Sequence, residues 1–184
     1  MSDYFWQTER IRIRLVEPED WAIHHQWDMN SEMQRNLYEL TFPSSKTRAK
    51  QWTEETAKKA PAGDNLHMQI TLRATDEVIG VLSSHDADRR NGTFMYGVAI
   101  RPEYQRQGYA TEAILLLMRY FFDELRYQKC HVDIHGWNAD SVQLHEKLGF
   151  VKEGQIRRAI YTQGTFHDRL IYGITREEFR AKHG

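Results

Sequence analysis

A mixed α/β domain built around one sheet is the fold class this sequence predicts, and three observations predict it. Several segments alternate apolar and polar residues with the period of a half-buried strand. Others repeat apolar residues at three and four positions, as a helix does. The two kinds also occur in a definite order: a helix-rich first third, a β-meander, then strand, helix, strand, helix and hairpin, with no repeat and no low-complexity tract. At 184 residues the chain suits one domain, residues 1–184, large enough to bury a core without metal or disulfides.

Ile11, Ile13 and Leu15 alternate with Arg10, Arg12 and Arg14, which predicts the first strand. Pro18, with Glu17, Glu19 and Asp20 around it, opens a helix carrying Trp21, Ile23, His24 and Trp27, ended by a polar break near Asn30-Ser31. A second helix is expected from Lys46 to Lys59, stopped by Pro61 and Gly63. Met68, Ile70 and Leu72 then alternate as a strand, Asp76-Glu77 turns the chain, and Val78 to Leu82 returns. The polar cluster His85 to Gly92 separates that strand from the next, Thr93 to Ile100. From Gly108 to Leu125 one broad apolar face predicts the clearest helix. Cys130, Val132 and Ile134 mark a strand, Asn138 to Leu148 a helix stopped by Gly149, and a hairpin about Gln163-Gly164 closes the order.

Composition limits the function. Forty per cent apolar residues exclude a disordered chain, and a formal charge of -1 excludes a generally basic nucleic-acid binder. One cysteine, Cys130, excludes an internal disulfide, and its place among apolar neighbours marks a buried structural thiol. The start MSDYFWQTER lacks a secretory pattern and no apolar run approaches a membrane span, so a cytoplasmic protein without membrane or nucleic-acid partners is expected. The histidines, His24-His25 and His131/His135 among them, come without the cysteines or HExxH spacing of a zinc site, and no metal is predicted.

The stretch QRQGYATE (Gln105 to Glu112) carries the chemistry. It leaves a strand through Arg101-Pro102 and enters a helix at a glycine, where several main-chain N–H groups lack helical partners and the helix dipole favours an anion. Gly108 keeps no side chain between those donors and a diphosphate, and Arg106 and Gln107 stand at the rim. A glycine at a strand-to-helix turn also arises for steric reasons alone. A P-loop is a poorer match, because the Gly-Lys-Ser/Thr ending is absent.

The segment YGVAIRPEYQRQGYATEA (Tyr96 to Ala113) resembles the acyl-CoA motif of the GCN5-related N-acetyltransferase (GNAT) superfamily, with Gln105, Gly108 and Ala110 on the motif positions. NADSVQLHEKLGFVKEG (Asn138 to Gly154) resembles its second motif, and the likeness is greatest to the branch of ribosomal-protein and spermidine acetyltransferases. This resemblance implies a single GNAT-type domain, α/β of the mixed, α+β-like kind, with a central, mostly antiparallel sheet splayed at the acyl-CoA site and flanked by helices. It implies acetyl-CoA as cosubstrate and acetyl transfer to a primary amine by direct attack in a ternary complex. The acceptor would be a peptide N-terminus, a polyamine or a small-molecule amine. Cofactor contacts are implied for Val98, Ala99, Ile100, Gln105, Arg106, Gln107, Gly108, Tyr109, Ala110, Thr111, Asn138 and Ser141. The two helix residues Asn138 and Ser141 also suit plain helix capping.

Catalysis is where the chain departs from the superfamily. Many members place a tyrosine, as general acid, where this chain has His145, and a glutamate base about where Met95 stands. Histidine can donate a proton near neutrality, so His145 is the candidate acid, and a polar packing residue is the other reading of a histidine on a helix. Asp86, within the polar cluster that also holds His85 and Asp88, is the candidate base, alone or through water. Glu32, Tyr38 and Glu39, at the junction of the early helices, are the candidate acceptor-side residues. Exposed strands and many aromatics suggest a homodimer. The missing glutamate and tyrosine keep one other reading open, a non-catalytic acyl-CoA-binding module.

Overall fold

In the computed structural model the described residues are 4–37, 40–59 and 63–184. They form seven strands and six α-helices, distributed over two compact units: Met1–Ser84 with Gly97–Leu117, and His85–Tyr96 with Met118–Gly184. The class is mixed α/β, and its strand pairs are mostly antiparallel.

In the first unit β1 (Ile11–Leu15) is followed by α1 (Trp21–Asp28), α2 (Ser31–Leu37), α3 (Lys46–Lys58), β2 (His67–Leu72) and β3 (Val78–Asp88). β2 pairs antiparallel with both β1 and β3, bringing Ile13 opposite Ile70 and Met68 opposite Leu82. The alternation read in the sequence thus puts these four side chains in the core, each 3 % exposed or less. On the helical side Trp27, Met33, Val78 and Val81 form one cluster, against which Ile23, Leu37 and Ala99 pack.

β3 passes into the second unit from His85 on, and β4 (Thr93–Ile100) and α4 (Tyr109–Arg119) likewise have residues in both units. The second unit continues with β5 (Lys129–His135), α5 (Ala139–Leu148), β6 (Val151–Thr162), β7 (Thr165–Thr175) and α6 (Arg176–His183). β5 pairs parallel with β4 at Thr93–Lys129, Phe94–Cys130 and Met95–His131, and antiparallel with β7, which pairs in turn with β6. Its core is aromatic. Phe94 stacks on Phe121 at 4.0 Å between ring centroids, and Phe122 and Tyr127 meet it edge-on at 5.7 and 5.5 Å.

Four features differ from the sequence reading, each for a local reason. Asn30, read as a break, caps a further helix: its Oδ1 accepts from Met33 N at 3.0 Å, and α2 follows, with too few apolar residues to show a period. β3 runs on through Asp88, into the polar cluster expected to be a turn, because a ladder is held by main-chain bonds and tolerates polar side chains on both faces. The long apolar helix ends at Arg119 and passes into a π-turn over Tyr120–Glu124, where Leu125 N donates to Tyr120 O. α6 was not anticipated. A capping box of Thr175 and Glu178 starts it, and Phe179 anchors it at 3 % exposure. The Pro61 stop signal lies outside the described residues.

Candidate active site

The first unit contains the loop singled out in the sequence. After β4, a short 3₁₀ turn at Pro102–Tyr104 leads to Gln105, and α4 begins at Tyr109. Arg106 and Gly108 both take left-handed conformations, with φ of 58° and 88°. A side chain at Gly108 is disfavoured twice, since its Cβ would also lie 3.1 Å from Arg10 Nη2. Residues 105 to 108 are exposed. Glu112 N donates to Gly108 O, so the amides of Tyr109, Ala110 and Thr111 precede the helical ladder of an eleven-residue helix and belong to its positive end.

The loop is braced from within the same unit by residues the sequence reading did not single out. Arg10 donates from Nη1 to Gln107 O at 3.0 Å and from Nε to Glu112 Oε1 at 2.7 Å, and its guanidinium lies 4.6 Å above the Tyr109 ring. Thr8 Oγ1 donates to the other Glu112 oxygen at 2.6 Å. The carboxylate at the helix start is therefore matched by a guanidinium and a hydroxyl, and does not oppose an incoming anion. Gln105 folds back, its Nε2 donating to Ile100 O at 2.9 Å, and Gln107 Nε2 donates to Glu103 O at 3.1 Å. These two carboxamides shape the loop. Of the strand residues, Val98 and Ala99 are half-buried and Ile100 is buried. Arg10 was legible only as the polar partner of Ile11, because its loop contacts are about a hundred residues away in sequence.

In the second unit Asn138 caps α5, its Oδ1 accepting from Ser141 N at 3.0 Å. Gly149, at φ 99°, ends the helix as expected. His145 faces inward at 4 % exposure, its ring stacked on Tyr96 at 5.8 Å with Phe150 edge-on at 5.1 Å. Its Nδ1 lies 2.7 Å from Ser141 O and 3.3 Å from Ser141 Oγ. A carbonyl oxygen only accepts, so Nδ1 carries the hydrogen. Burial lowers the imidazole pKa below its ordinary 6.5, the Ser141 bond opposing it, and the ring is neutral near pH 7. Nε2 is then a bare acceptor. A proton given by His145 would have to come from Nδ1, whose hydrogen is held by Ser141 O.

Asp86 is exposed on β3 in a left-handed conformation, φ 49°. Asp88 instead receives the N–H groups of Asn91 and Arg90, bonds that hold its pKa below the ordinary 3.8 and commit it to the turn. Glu32 is exposed on α2, and Tyr38 and Glu39 lie outside the described residues. Cys130 is fully buried, which pushes its thiol pKa well up and leaves it inert. His24 is pulled down to about 4, first by burial and then by His67, and it packs between Trp27 and Trp52 as a neutral aromatic.

Residues 10–151 match the family model of the acetyltransferase (GNAT) domain. The chain belongs to the GNAT acetyltransferase family. It is an N-acetyltransferase, and among its relatives is the SPbeta prophage-derived uncharacterized N-acetyltransferase YokL of Bacillus subtilis (strain 168), 39 % identical with all of both chains covered. The spermidine N(1)-acetyltransferase of Escherichia coli (strain K12) is 22 % identical, with 94 % of this chain and 90 % of that one covered. Among solved structures, the spermidine N-acetyltransferase of Vibrio cholerae in complex with CoA and spermine aligns at a TM-score of 0.80 and 18 % identity, over 94 % of this acetyltransferase and 99 % of that chain. No helix of the described residues in this acetyltransferase is long and apolar enough to cross a membrane.

Proposed function

We propose that the chain, as one catalytic domain over residues 1–184, transfers the acetyl group of acetyl-CoA to a primary amine by direct attack within a ternary complex. The observation that carries this reading is the loop at the start of α4, where exposed residues 105 to 108, a side-chain-free Gly108 and an ion-paired Glu112 suit a diphosphate. In the proposal the amides of Arg106 to Thr111 take the diphosphate, and the Val98–Ile100 main chain serves the pantetheine amides as an added strand would. The amine nitrogen bonds to the thioester carbon, the carbon–sulfur bond breaks with its electron pair leaving on sulfur, and the proton shed by the nitrogen passes to solvent or sulfur. Asp86, exposed and lacking a rigid partner in the turn, is the carboxylate proposed to draw that proton through water. Glu32 is the described acid proposed to attract a cationic acceptor. A polyamine fits this reading, because a relative is named for spermidine. Direct attack is favoured over an acetyl-enzyme by Cys130, the chain's one thiol, being buried and inert.

The test is release of free thiol from acetyl-CoA with and without a panel of polyamines, peptide N-termini and small amines, with the product identified by mass. Amine-dependent turnover with intersecting initial-velocity lines is expected. Binding without turnover would make the protein an acyl-CoA-binding module, and a mass shift of the enzyme itself by one acetyl group on the reaction path would replace direct attack.

Arg10→Ala provides a second measurement. The change removes the donor to Gln107 O and the ionic partner of Glu112, both partly exposed, so about 1 kcal/mol of loop order is lost. Calorimetry should find acetyl-CoA affinity down about three- to tenfold with kcat within twofold. Unchanged affinity would remove Arg10 from the cosubstrate loop.

A further inference from the structure

Along the β6–β7 hairpin of the second unit, Gln155, Ile156, Arg157, Arg158 and Asp168 line an open groove of about 620 Å³. None of them belongs to the cosubstrate loop or to α5. A break in the ladder makes the groove: Ile156 pairs with Arg169 and Ile160 with His167, so residues 157 to 159 bulge opposite Asp168. One carboxylate holds the bulge. Asp168 Oδ1 accepts from Arg158 N at 2.8 Å and Oδ2 accepts from Gln155 Nε2, bonds that keep its pKa below the ordinary 3.8. Arg158 sits there at φ 53°, where a non-glycine residue is uncommon.

The walls of the groove are open to solvent. All of β6 except Gly154, Ile160 and Thr162 is exposed, and among the described residues β6 pairs with β7 alone, which leaves its outer main-chain edge outside any ladder. Arg157 meets no acid at ion-pair distance among the described residues and attracts Asp168 through space, while the Arg158 guanidinium lies 4.9 Å over the Phe166 ring. Ile156, Tyr161 and Phe166 are 47, 63 and 51 % exposed along the same hairpin. Cations, apolar side chains and a bare strand edge thus occur together.

We propose that this groove docks an extended acidic peptide, its backbone bonding to the outer edge of β6, its carboxylates to Arg157 and Arg158, and an apolar side chain to Ile156. The inference goes beyond acetyl transfer and does not depend on it. Guanidiniums match carboxylates with two parallel hydrogen bonds, and an unpaired strand edge selects an extended chain. A nucleic acid is a poorer occupant, since the groove offers two cations beside a carboxylate and the chain carries a formal charge of -1. A second copy docked through the same groove about a two-fold axis would bring four guanidiniums together.

Fluorescence anisotropy tests the docking without acetyl-CoA, using a fluorescein-labelled peptide of alternating glutamate and leucine with no free amino group, which therefore cannot serve as an acceptor. Saturable binding that weakens as salt rises is expected. Changing Arg157→Ala and Arg158→Ala together should raise the dissociation constant about tenfold, and Ile156→Ser about threefold. Asp168→Ala distinguishes a built groove from bare positive charge. Removing a carboxylate raises the local positive potential, so charge alone predicts tighter binding, whereas loss of the bulge predicts binding about tenfold weaker. All four positions are at the surface, so the far-ultraviolet circular dichroism spectrum should stay that of the parent. The proposal is overturned by unchanged affinity in the double arginine variant, by tighter binding in Asp168→Ala, or by equal binding of the peptide with lysine in place of glutamate. Preference for a single-stranded oligonucleotide of the same charge would overturn it too.

Discussion

Gly108→Glu is expected to raise the dissociation constant of acetyl-CoA at least about 100-fold while the far-ultraviolet circular dichroism spectrum stays that of the parent. Two effects act at this position. Gly108 sits at φ 88°, where a side chain costs about 1–2 kcal/mol, and its Cβ would press on Arg10 Nη2, part of the brace that holds Gln107 O and Glu112. Larger still, a carboxylate would stand among the amides proposed to receive the diphosphate. Losing two charge-assisted hydrogen bonds, each worth about 1.5–3 kcal/mol, already exceeds the roughly 2.7 kcal/mol that a hundredfold change requires. Strain alone can be subtracted with Gly164→Glu. Gly164 lies in the β6–β7 turn at φ 76° with nothing within 4 Å of an added Cβ, so that variant carries comparable backbone strain and should bind acetyl-CoA like the parent. Equal affinity in Gly108→Glu and the parent, by calorimetry on folded protein, would remove the loop from the reading.

What was legible in the sequence divides along physical lines. β1, β4 and β5 showed themselves because one face of each is buried, β2 because its apolar residues alternate with polar ones although both its faces are buried, and α4 because its Ala113, Ile114, Leu116 and Leu117 are nearly inaccessible. α2 and the outer half of β3 did not. Their stability comes from main-chain bonds, one asparagine cap and a few contacts with Trp27 and its neighbours, which leave no apolar period to read. The Gln105-to-Thr111 loop was legible because its requirements are local: a glycine with positive φ, a helix start and exposed polar residues. Arg10, Thr8 and Glu112 were not, since no short-range rule joins residue 10 to residue 112. His145 was recognised as a position, but its protonation was not. That depends on Ser141 O, a main-chain atom one turn earlier whose distance decides which ring nitrogen holds the hydrogen.

Phe94→Ala should be the most destabilising single change in the second unit. Phe94 is fully buried, and three aromatic rings contact it: Phe121 stacked, Phe122 and Tyr127 edge-on. The truncation loses transfer free energy and leaves a cavity walled by rigid rings, which cannot collapse as aliphatic chains can, so the cost is about 3–5 kcal/mol. For a chain of this size that corresponds to a midpoint lower by roughly 6–20 °C. Phe94 also stands opposite Cys130 in the three registered pairs joining β4 to β5, two residues before Tyr96. Activity should therefore follow the stability of this cluster. If Phe94 contributes through stability alone, the variant assayed well below its midpoint keeps kcat within a few fold, and activity disappears on warming together with the near-ultraviolet signal of the aromatic cluster. A midpoint within 2 °C of the parent would mean that the rings packed on Phe94 do not form the core described for this unit.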